Sequence, residues 1–249
     1  MTSLRVYKQI TQYNRDDLFK LIPKLAPRLE FLLLPRCTRN ELLNHSSGGQ
    51  AVERAGGPPG FSLYELSFSG PFTWLQWVLS STENTLTILD LRDSLREDQF
   101  ETILSAHGAS LLSLRLSNAH SPLTDKASVS LSHCIRLQEF RYLHTPSEAI
   151  LNHLPMSTLE HLELTLEQYD VKVKYKQLTA LANWIEASRL FVFTWNSEGL
   201  SKAGGWPAIN RVVGVCSNAG IELRFFSPPL GACAGERFVL SLNLPIGIP

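Results

Sequence analysis

Residues 86–91 read LTILDL and residues 111–116 read LLSLRL, and both stretches place leucine at their first, fourth and sixth positions. The same spacing returns in LEFLLL at 29–34 and in LEHLEL at 159–164. Since 42 of the 249 residues are leucine, about one such match is expected by chance. We therefore interpret the spacing as a repeated unit, whose fourth and sixth positions share one face of a short β-strand.

Other apolar residues fill the same spacing elsewhere in the chain. The looser matches are Met1/Leu4/Val6, Leu63/Leu66/Phe68, Leu137/Phe140/Tyr142, Leu190/Phe193/Trp195 and a frayed Ile221/Leu223/Phe225. The first eight matches begin 22 to 34 residues apart. Five of these seven steps fall within the roughly 20–29 residues that a leucine-rich repeat usually takes.

The segments between the matches carry apolar residues at helical spacing. Among these stripes are Leu18/Leu21/Ile22/Leu25, Phe100/Ile103/Leu104, Leu178/Leu181/Ala182/Ile185 and Ile209/Val212/Val213/Cys216. We expect capping boxes at Thr145–Glu148 and Ser94–Glu97 to begin two of the helices. A strand and a helix cannot bury their apolar faces alone, so we expect successive pairs to stack. The predicted fold is α/β, a leucine-rich-repeat-like solenoid with a curved parallel sheet and helices on its convex side.

The predicted domain spans residues 1–226 and contains eight to nine irregular repeats. Residues 44–61 are rich in glycine and proline, which predicts a flexible insertion. Residues 169–176 alternate with a period of two, which predicts an additional exposed strand. The Pro/Gly-containing tail at 227–249 fits no repeat, and it either covers the open edge of the last repeat or is loose.

Composition and motifs restrict the classes of function. The 23 basic residues balance the 23 acidic ones, which argues against a nucleic-acid-binding or membrane-surface protein. No signal peptide or apolar run long enough for a membrane helix is visible, and the four cysteines lie far apart. We therefore expect a cytoplasmic or nuclear protein with reduced, mostly buried thiols.

Phosphate-binding, metalloprotease and serine-hydrolase motifs are missing from the sequence. We expect a monomeric non-enzyme with no catalytic residues, no cofactor and no metal. A minor alternative is an unrecognised hydrolase, which would need a deep pocket with coupled titratable groups.

Alternate residues of each strand point away from the leucine core and define the candidate binding surface. The candidate residues on this concave face are Asp90, Arg92, Arg115, Glu139, Arg141, His161 and Glu163. Neighbouring parallel strands would let Asp90 pair with Arg115 and Arg141 pair with Glu163. Two interpretations remain open: a solvated, self-neutralising row of charges, or a mixed-charge surface for a protein partner.

Several phrases of the sequence resemble the degenerate leucine-rich-repeat regions of fungal F-box proteins. They are HGASLLSLRL at 107–116, TLEHLEL at 158–164 and CSNAGIEL at 216–223, and the resemblance covers roughly residues 1–226. One repeat also fits the cysteine-containing subclass, with Cys37 and Asn40 following its leucines. The other repeats lack Asn or Cys at that position, so we expect irregular turns without the usual side-chain ladder.

The resemblance implies that the repeats hold a substrate protein for ubiquitin transfer. In that family an F-box docks on the adaptor of a cullin ubiquitin ligase. No F-box-like start precedes the first repeat here. We expect a ligase adaptor as partner only if an F-box lies upstream, and otherwise an interaction scaffold or adaptor without a ubiquitin link.

Overall fold

The computed structural model describes residues 3–5, 30–33, 59–82, 84–117, 122–166, 171–197, 206–226 and 240–241. It divides into an N-terminal unit, Met1–Arg136, and a C-terminal unit, Leu137–Pro249. In the described residues of both units, parallel strands alternate with helices, which confirms the α/β class. The helix expected around residues 18–25, most of the 44–61 insertion and nearly all of the tail lie outside the described residues.

In its described residues, the N-terminal unit contains five parallel strands that are neighbours in chain order. They are β1 (Ser3–Arg5), β2 (Phe31–Leu33), β3 (Glu65–Phe68), β4 (Ile88–Leu91) and β5 (Ser113–Leu116). The helices are α1 (Phe72–Leu79), α2 (Glu97–His107) and α3 (Asp125–Ser128), with 3-10 turns at Gly108–Ser110 and Val129–His133. The predicted repeat sets the register, because the middle apolar residues Leu4, Leu32, Leu66, Leu89 and Leu114 lie opposite one another.

The described part of the C-terminal unit contains four parallel strands and one short antiparallel strand. They are β6 (Glu139–Tyr142), β7 (His161–Leu166), β8 (Val192–Ser197), β9 (Glu222–Phe226) and the antiparallel β10 (Leu240–Ser241). The helices are α4 (Glu148–His153), α5 (Val171–Ala187) and α6 (Trp206–Ala219). Phe140, Leu162, Phe193 and Leu223 share one register position. No helix of the described ranges is both long and apolar enough to cross a membrane.

The predicted apolar positions form the core of each unit. Leu86, Leu89 and Leu91 are buried in the N-terminal unit, and Leu159 and Leu162 in the C-terminal unit. The helix stripes are buried as well, including Leu178, Leu181, Ala182 and Ile185 on α5. Burying each leucine side chain contributes about 1.5–3 kcal/mol, so the repeated spacing and the helix stripes both contribute to the apolar stabilisation.

One backbone arrangement recurs where the strands begin. The carbonyl of Tyr64 accepts hydrogen bonds from the N–H groups of Thr87, at 2.9 Å, and of Ile88, at 3.1 Å. In the C-terminal unit the carbonyl of Glu160 accepts in the same way from residues 191 and 192. A single carbonyl thus anchors the start of the next strand in both units, as expected for one repeated structural element.

A ladder of hydroxyl groups also connects successive repeats. Thr85 Oγ1 donates to the carbonyl of Leu63 at 3.0 Å, and Ser110 Oγ donates to that of Leu86 at 2.8 Å. In the C-terminal unit, Thr158 Oγ1 donates to the carbonyl of Leu137 at 3.0 Å. Each hydroxyl precedes the first leucine of its own repeat and bonds to the first leucine of the preceding repeat. The expected absence of a side-chain ladder concerned the Asn/Cys position alone, and these hydroxyl groups lie at a different position of the repeat.

The additional strand predicted at 169–176 is wrong, because residues 171–176 form the first turns of α5. The VKVKYK alternation is only six residues long, and lysine is a good helix former. The buried stripe from Leu178 to Ile185 anchors the helix, which then extends towards its N-terminus.

Both predicted capping boxes lie too early in the chain. Helix α4 begins at Glu148, and Ser147 rather than Thr145 is its N-cap, accepting from the N–H of Ile150 at 3.4 Å. Helix α2 begins at Glu97, where Gln99 Oε1 accepts from the backbone N–H of residue 96 at 3.0 Å. Thr145 and Ser94 therefore each lie two residues before the N-cap residue of the helix that they were expected to cap.

The end of α6 positions β9. Gly220 has a φ of 69°, a conformation that glycine adopts without strain. Its N–H donates to the carbonyl of Ser217, and the N–H of Ile221 donates to that of Cys216 at 2.8 Å. This is a Schellman turn, which stops the helix and directs the chain into Glu222, the first residue of β9.

Candidate functional site

The seven predicted site residues fall into one group in each unit. Asp90, Arg92 and Arg115 belong to the N-terminal unit. Glu139, Arg141, His161 and Glu163 belong to β6 and β7 of the C-terminal unit. Each group is a site in its own right, built on the strand face opposite the apolar core.

The Asp90 carboxylate is the centre of the N-terminal group. Ser67 Oγ donates to Asp90 Oδ2 at 2.8 Å, and Ser117 Oγ donates to Oδ1 at 2.8 Å. Arg92 Nε lies 2.9 Å from Oδ2. Asp90 is only 8% exposed, so its charge is held by donors from its own chain. These bonds join residues of β3 and β4 and the residue following β5.

Arg115 lies opposite Asp90 in the register of β4 and β5, as predicted. Ser67 and a second buried hydroxyl, Ser69, were missed as site residues, although strand alternation places both on the same face. Ser69 Oγ donates to Asp93 Oδ2 at 2.7 Å. A serine two residues from another serine, beside a strand that carries aspartate, is the sequence signal that identifies this network.

The predicted Arg141–Glu163 pair is confirmed in the C-terminal unit. Arg141 Nε lies 2.9 Å from Glu163 Oε1, and the side chains are 17% and 7% exposed, respectively. Removing two charges from water costs free energy that their mutual attraction offsets only in good geometry. The pair therefore orders this strand face, and neither charge is freely offered to solvent.

His161 lies beside this pair on β7. Its Nε2 is 2.8 Å from Oγ1 of Thr194, a buried residue of β8. Glu139 lies opposite His161 in the register of β6 and β7. Three neighbouring strands thus contribute polar side chains to one surface.

Strand β9 adds a charged pair that is not among the seven predicted site residues. Arg224 donates from Nε and Nη2 to the two carboxylate oxygens of Glu222, at 2.8 and 3.0 Å. The hydrogen bond from Arg224 lowers the pKa of Glu222, and the same bond raises the pKa of Arg224. In register, Glu222 lies opposite Val192 and Arg224 opposite Thr194. The ninth repeat match is frayed, so the leucine spacing does not identify its outward residues.

The described cysteines are buried thiols. Burial raises the pKa of Cys134 to about 12 and that of Cys216 to about 11. A thiol with such a pKa is a poor nucleophile at neutral pH. Within the described ranges, no group of three or more His, Cys, Asp or Glu side chains is placed to hold a metal ion. The described polar side chains of the site can form hydrogen bonds and ion pairs.

No protein-family model, curated protein or solved structure matches this chain.

Proposed function

We propose that this chain is a non-catalytic protein-binding module, a leucine-rich-repeat-like solenoid whose outward strand faces hold a protein partner. In this respect it is similar to the substrate-recognition region of an F-box subunit. One observation carries the proposal: polar side chains on β6, β7, β8 and β9 are already held in place by one another. Side chains ordered before binding lose less conformational entropy when a partner docks.

The geometry favours a binding surface over a merely solvated row of charges. An exposed ion pair contributes little to stability, and long charged side chains on a solvated face remain mobile. Arg141 and Glu163 are instead largely buried together, which carries a desolvation cost. A face that needs only solubility gains nothing from such a pair, whereas a recognition surface gains a fixed geometry.

Arg224 is the best residue for testing the C-terminal face. Its side chain is 35% exposed, so Arg224→Glu reverses a charge without burying one. Arg141 is unsuitable, because a glutamate there would face the buried Glu163 carboxylate and destabilise the strand face. Arg92→Ala tests the N-terminal face separately, because it removes a charge whose side chain is 34% exposed. Glu101→Arg, on an exposed position of α2, is the matched control.

The test is affinity capture with quantitative mass spectrometry, followed by Kd measurement with the purified partner. Reversing or removing a contact charge should weaken binding about tenfold or more, whereas Glu101→Arg should bind like wild type. Wild-type Kd values for both face variants, or no specifically captured protein, would contradict the proposal.

The captured proteins also distinguish the two versions of the function. Cullin and adaptor peptides that accompany the partner support a substrate-recognition role in ubiquitin transfer. A specific partner without them supports an interaction scaffold with no ligase link. Both versions propose a monomer that works in the cytoplasm or nucleus.

A further inference from the structure

We propose that Arg92 in the N-terminal unit binds an acidic side chain, aspartate or glutamate, of a protein partner. The group of residues that holds Arg92 in place is here named the Asp90 cluster and consists of Ser67, Asp90, Arg92 and Ser117. The inference rests on the proposed function, because it names the chemistry that this strand face would recognise in its partner.

The carboxylate of the Asp90 cluster is enclosed by its own chain. Its Oδ2 atom accepts from Ser67 Oγ at 2.8 Å and lies 2.9 Å from Arg92 Nε, and its Oδ1 atom accepts from Ser117 Oγ at 2.8 Å. Only 11% of the Asp90 side chain is exposed, compared with 34% of the Arg92 side chain. Although the two charges balance, the cluster therefore presents mainly its cation to solvent.

Arg92 is held through both its backbone and its side chain. Its backbone N–H donates to the carbonyl of Phe68 at 3.0 Å, and its Nε donates to Asp90. Within the described residues, its Nη atoms have no hydrogen-bond acceptor, so their N–H groups remain for a ligand. Because Asp90 already orders the guanidinium, binding through the Nη atoms costs less conformational entropy than binding through a mobile arginine.

The other charges near Arg92 leave this donor group accessible. Asp93 follows it in the chain, but Asp93 Oδ2 accepts from Ser69 Oγ at 2.7 Å and forms no ion pair with Arg92. Glu65 lies four register positions earlier, which is about 13 Å along a strand. Arg115 is a second cation on the same face, one strand away. The accessible charge beside the enclosed Asp90 is therefore positive.

A carboxylate is the ligand group that matches an ordered guanidinium. Guanidinium N–H groups donate to both oxygens of a carboxylate in a planar, bidentate arrangement. A partner carboxylate would place Arg92 between two anions, so that the charges alternate. A basic or apolar segment would instead leave the exposed donors without an acceptor. Charge complementarity thus favours an acidic segment over a second copy of this chain, whose net charge is zero.

A phosphate group fits less well than a carboxylate. A phosphorylated side chain carries a charge of about −1.5 to −2 at pH 7. Asp90 lies 2.9 Å from the same guanidinium and already balances its charge, so it opposes the additional negative charge of a phosphate. We therefore assign the site to aspartate or glutamate, and phosphate binding becomes an outcome of the test.

The test uses the full chain and a fluorescein-labelled Glu-Leu-Glu-Ala-Glu-Leu-Glu peptide, followed by fluorescence anisotropy. Matched peptides carry glutamine, arginine or phosphoserine in place of glutamate. We expect the glutamate peptide to bind about tenfold more tightly than the glutamine peptide, and the arginine peptide not to bind. The phosphoserine peptide should bind no more tightly than the glutamate peptide, and added salt should weaken binding.

Variants then locate the site. Arg92→Ala should reduce the affinity for the glutamate peptide about tenfold. Arg92→Lys keeps the charge but loses the planar fork, so it should reduce the affinity about fivefold. Arg136→Ala, at an exposed arginine in a turn, is the matched control and should bind like wild type.

Asp90 is a positioning residue, and its variant separates ordering of Arg92 from simple charge attraction. Asp90→Asn removes a negative charge, so attraction alone would strengthen the binding of an acidic peptide. We expect binding to weaken about threefold instead, because Arg92 loses the ion pair that orders it. Ser117→Ala changes no charge and should weaken binding about twofold, since Asp90 loses a donor. Ser117→Ala still tests this ordering if Asp90→Asn does not fold.

Absence of wild-type binding, equal affinity for the glutamine peptide, or an unchanged Arg92→Ala affinity would overturn the inference. So would tighter binding by Asp90→Asn, a phosphoserine peptide that binds more tightly than the glutamate peptide, or concentration-dependent dimers that Arg92→Ala abolishes. A captured partner that needs Arg224 but ignores Arg92 would leave the proposed function standing and refute this inference. Peptide binding at Arg92 without any captured protein would refute the proposed function alone.

Discussion

Glu163 keeps a charged side chain on a strand face where only 7% of it is exposed, because Arg141 lies 2.9 Å away. Asp90 solves the same problem with two hydroxyl donors and Arg92. Charges held in this way shape a surface and cannot reorient towards a partner without losing their own contacts. Direct contacts with a partner are therefore expected from better exposed residues, such as Arg224.

At the same scale, we predict that Cys134 and Cys216 are unreactive in the native protein. Burial raises the pKa of the first thiol from 9.0 to about 12 and that of the second to about 11. Ellman's reagent at pH 8, applied to a Cys37→Ser/Cys233→Ser variant, should modify both thiols only after urea unfolds the chain. Rapid labelling of either thiol in the native state would contradict the burial.

The sign of the pH effect on stability follows from the same shifts. Both thiols have a higher pKa when folded than when unfolded, so their contribution is complete below pH 9. It decreases as the pH rises towards 11–12, because the unfolded thiols ionise first. The free energy of unfolding should therefore fall less steeply above pH 9 in a Cys134→Ala variant than in wild type.

At the scale of the structural elements, two kinds of hydrogen bond join successive repeats. The strands pair through their backbones, and the hydroxyl ladder adds side-chain bonds between the same repeats. Ser110 and Thr158 donate to carbonyls of residues whose side chains are fully buried. We predict that Ser110→Ala and Thr158→Val each lower the free energy of unfolding by about 1 kcal/mol, because a carbonyl loses its donor. Urea denaturation followed by circular dichroism measures the change.

Ser105→Ala is the matched control for the ladder. Ser105 is exposed, and its hydroxyl donates to the carbonyl of Thr102 within the same helix. Its loss should change stability by less than about 0.5 kcal/mol. If the control were as destabilising as Ser110→Ala, the ladder would have no role in joining repeats.

At the scale of the whole molecule, each unit depends on its own core of template residues. Leu114 is fully buried in the N-terminal unit and Leu162 in the C-terminal unit. We predict that Leu114→Asp unfolds the first and Leu162→Asp the second, since each places an unpaired charge in an apolar core. Ser132→Asp, at an exposed position, should leave the melting curve unchanged.

Thermal melting curves and two-dimensional amide NMR spectra of both variants test this prediction. A melting curve like that of wild type for either leucine variant would show that the predicted register is wrong. Loss of dispersed amide signals from the corresponding unit is the expected result.

The leucine spacing by itself determined the α/β class, the parallel strand order within each unit and the strand register. It could do so because side chains alternate along a strand, so a shift of one residue would expose the entire apolar set. The same alternation identified which residues share the outward face, and it predicted the pairing of Arg141 with Glu163.

Only the tertiary structure decided how deeply those outward charges are buried and which residues accompany them. Ser67, Thr194 and the Glu222–Arg224 pair join the site through strand neighbours far away in sequence. Residues 171–176 became helical because a buried stripe further along the chain outweighed a short alternating pattern. Burial and pairing depend on contacts between distant segments, and no local spacing in the sequence contains that information.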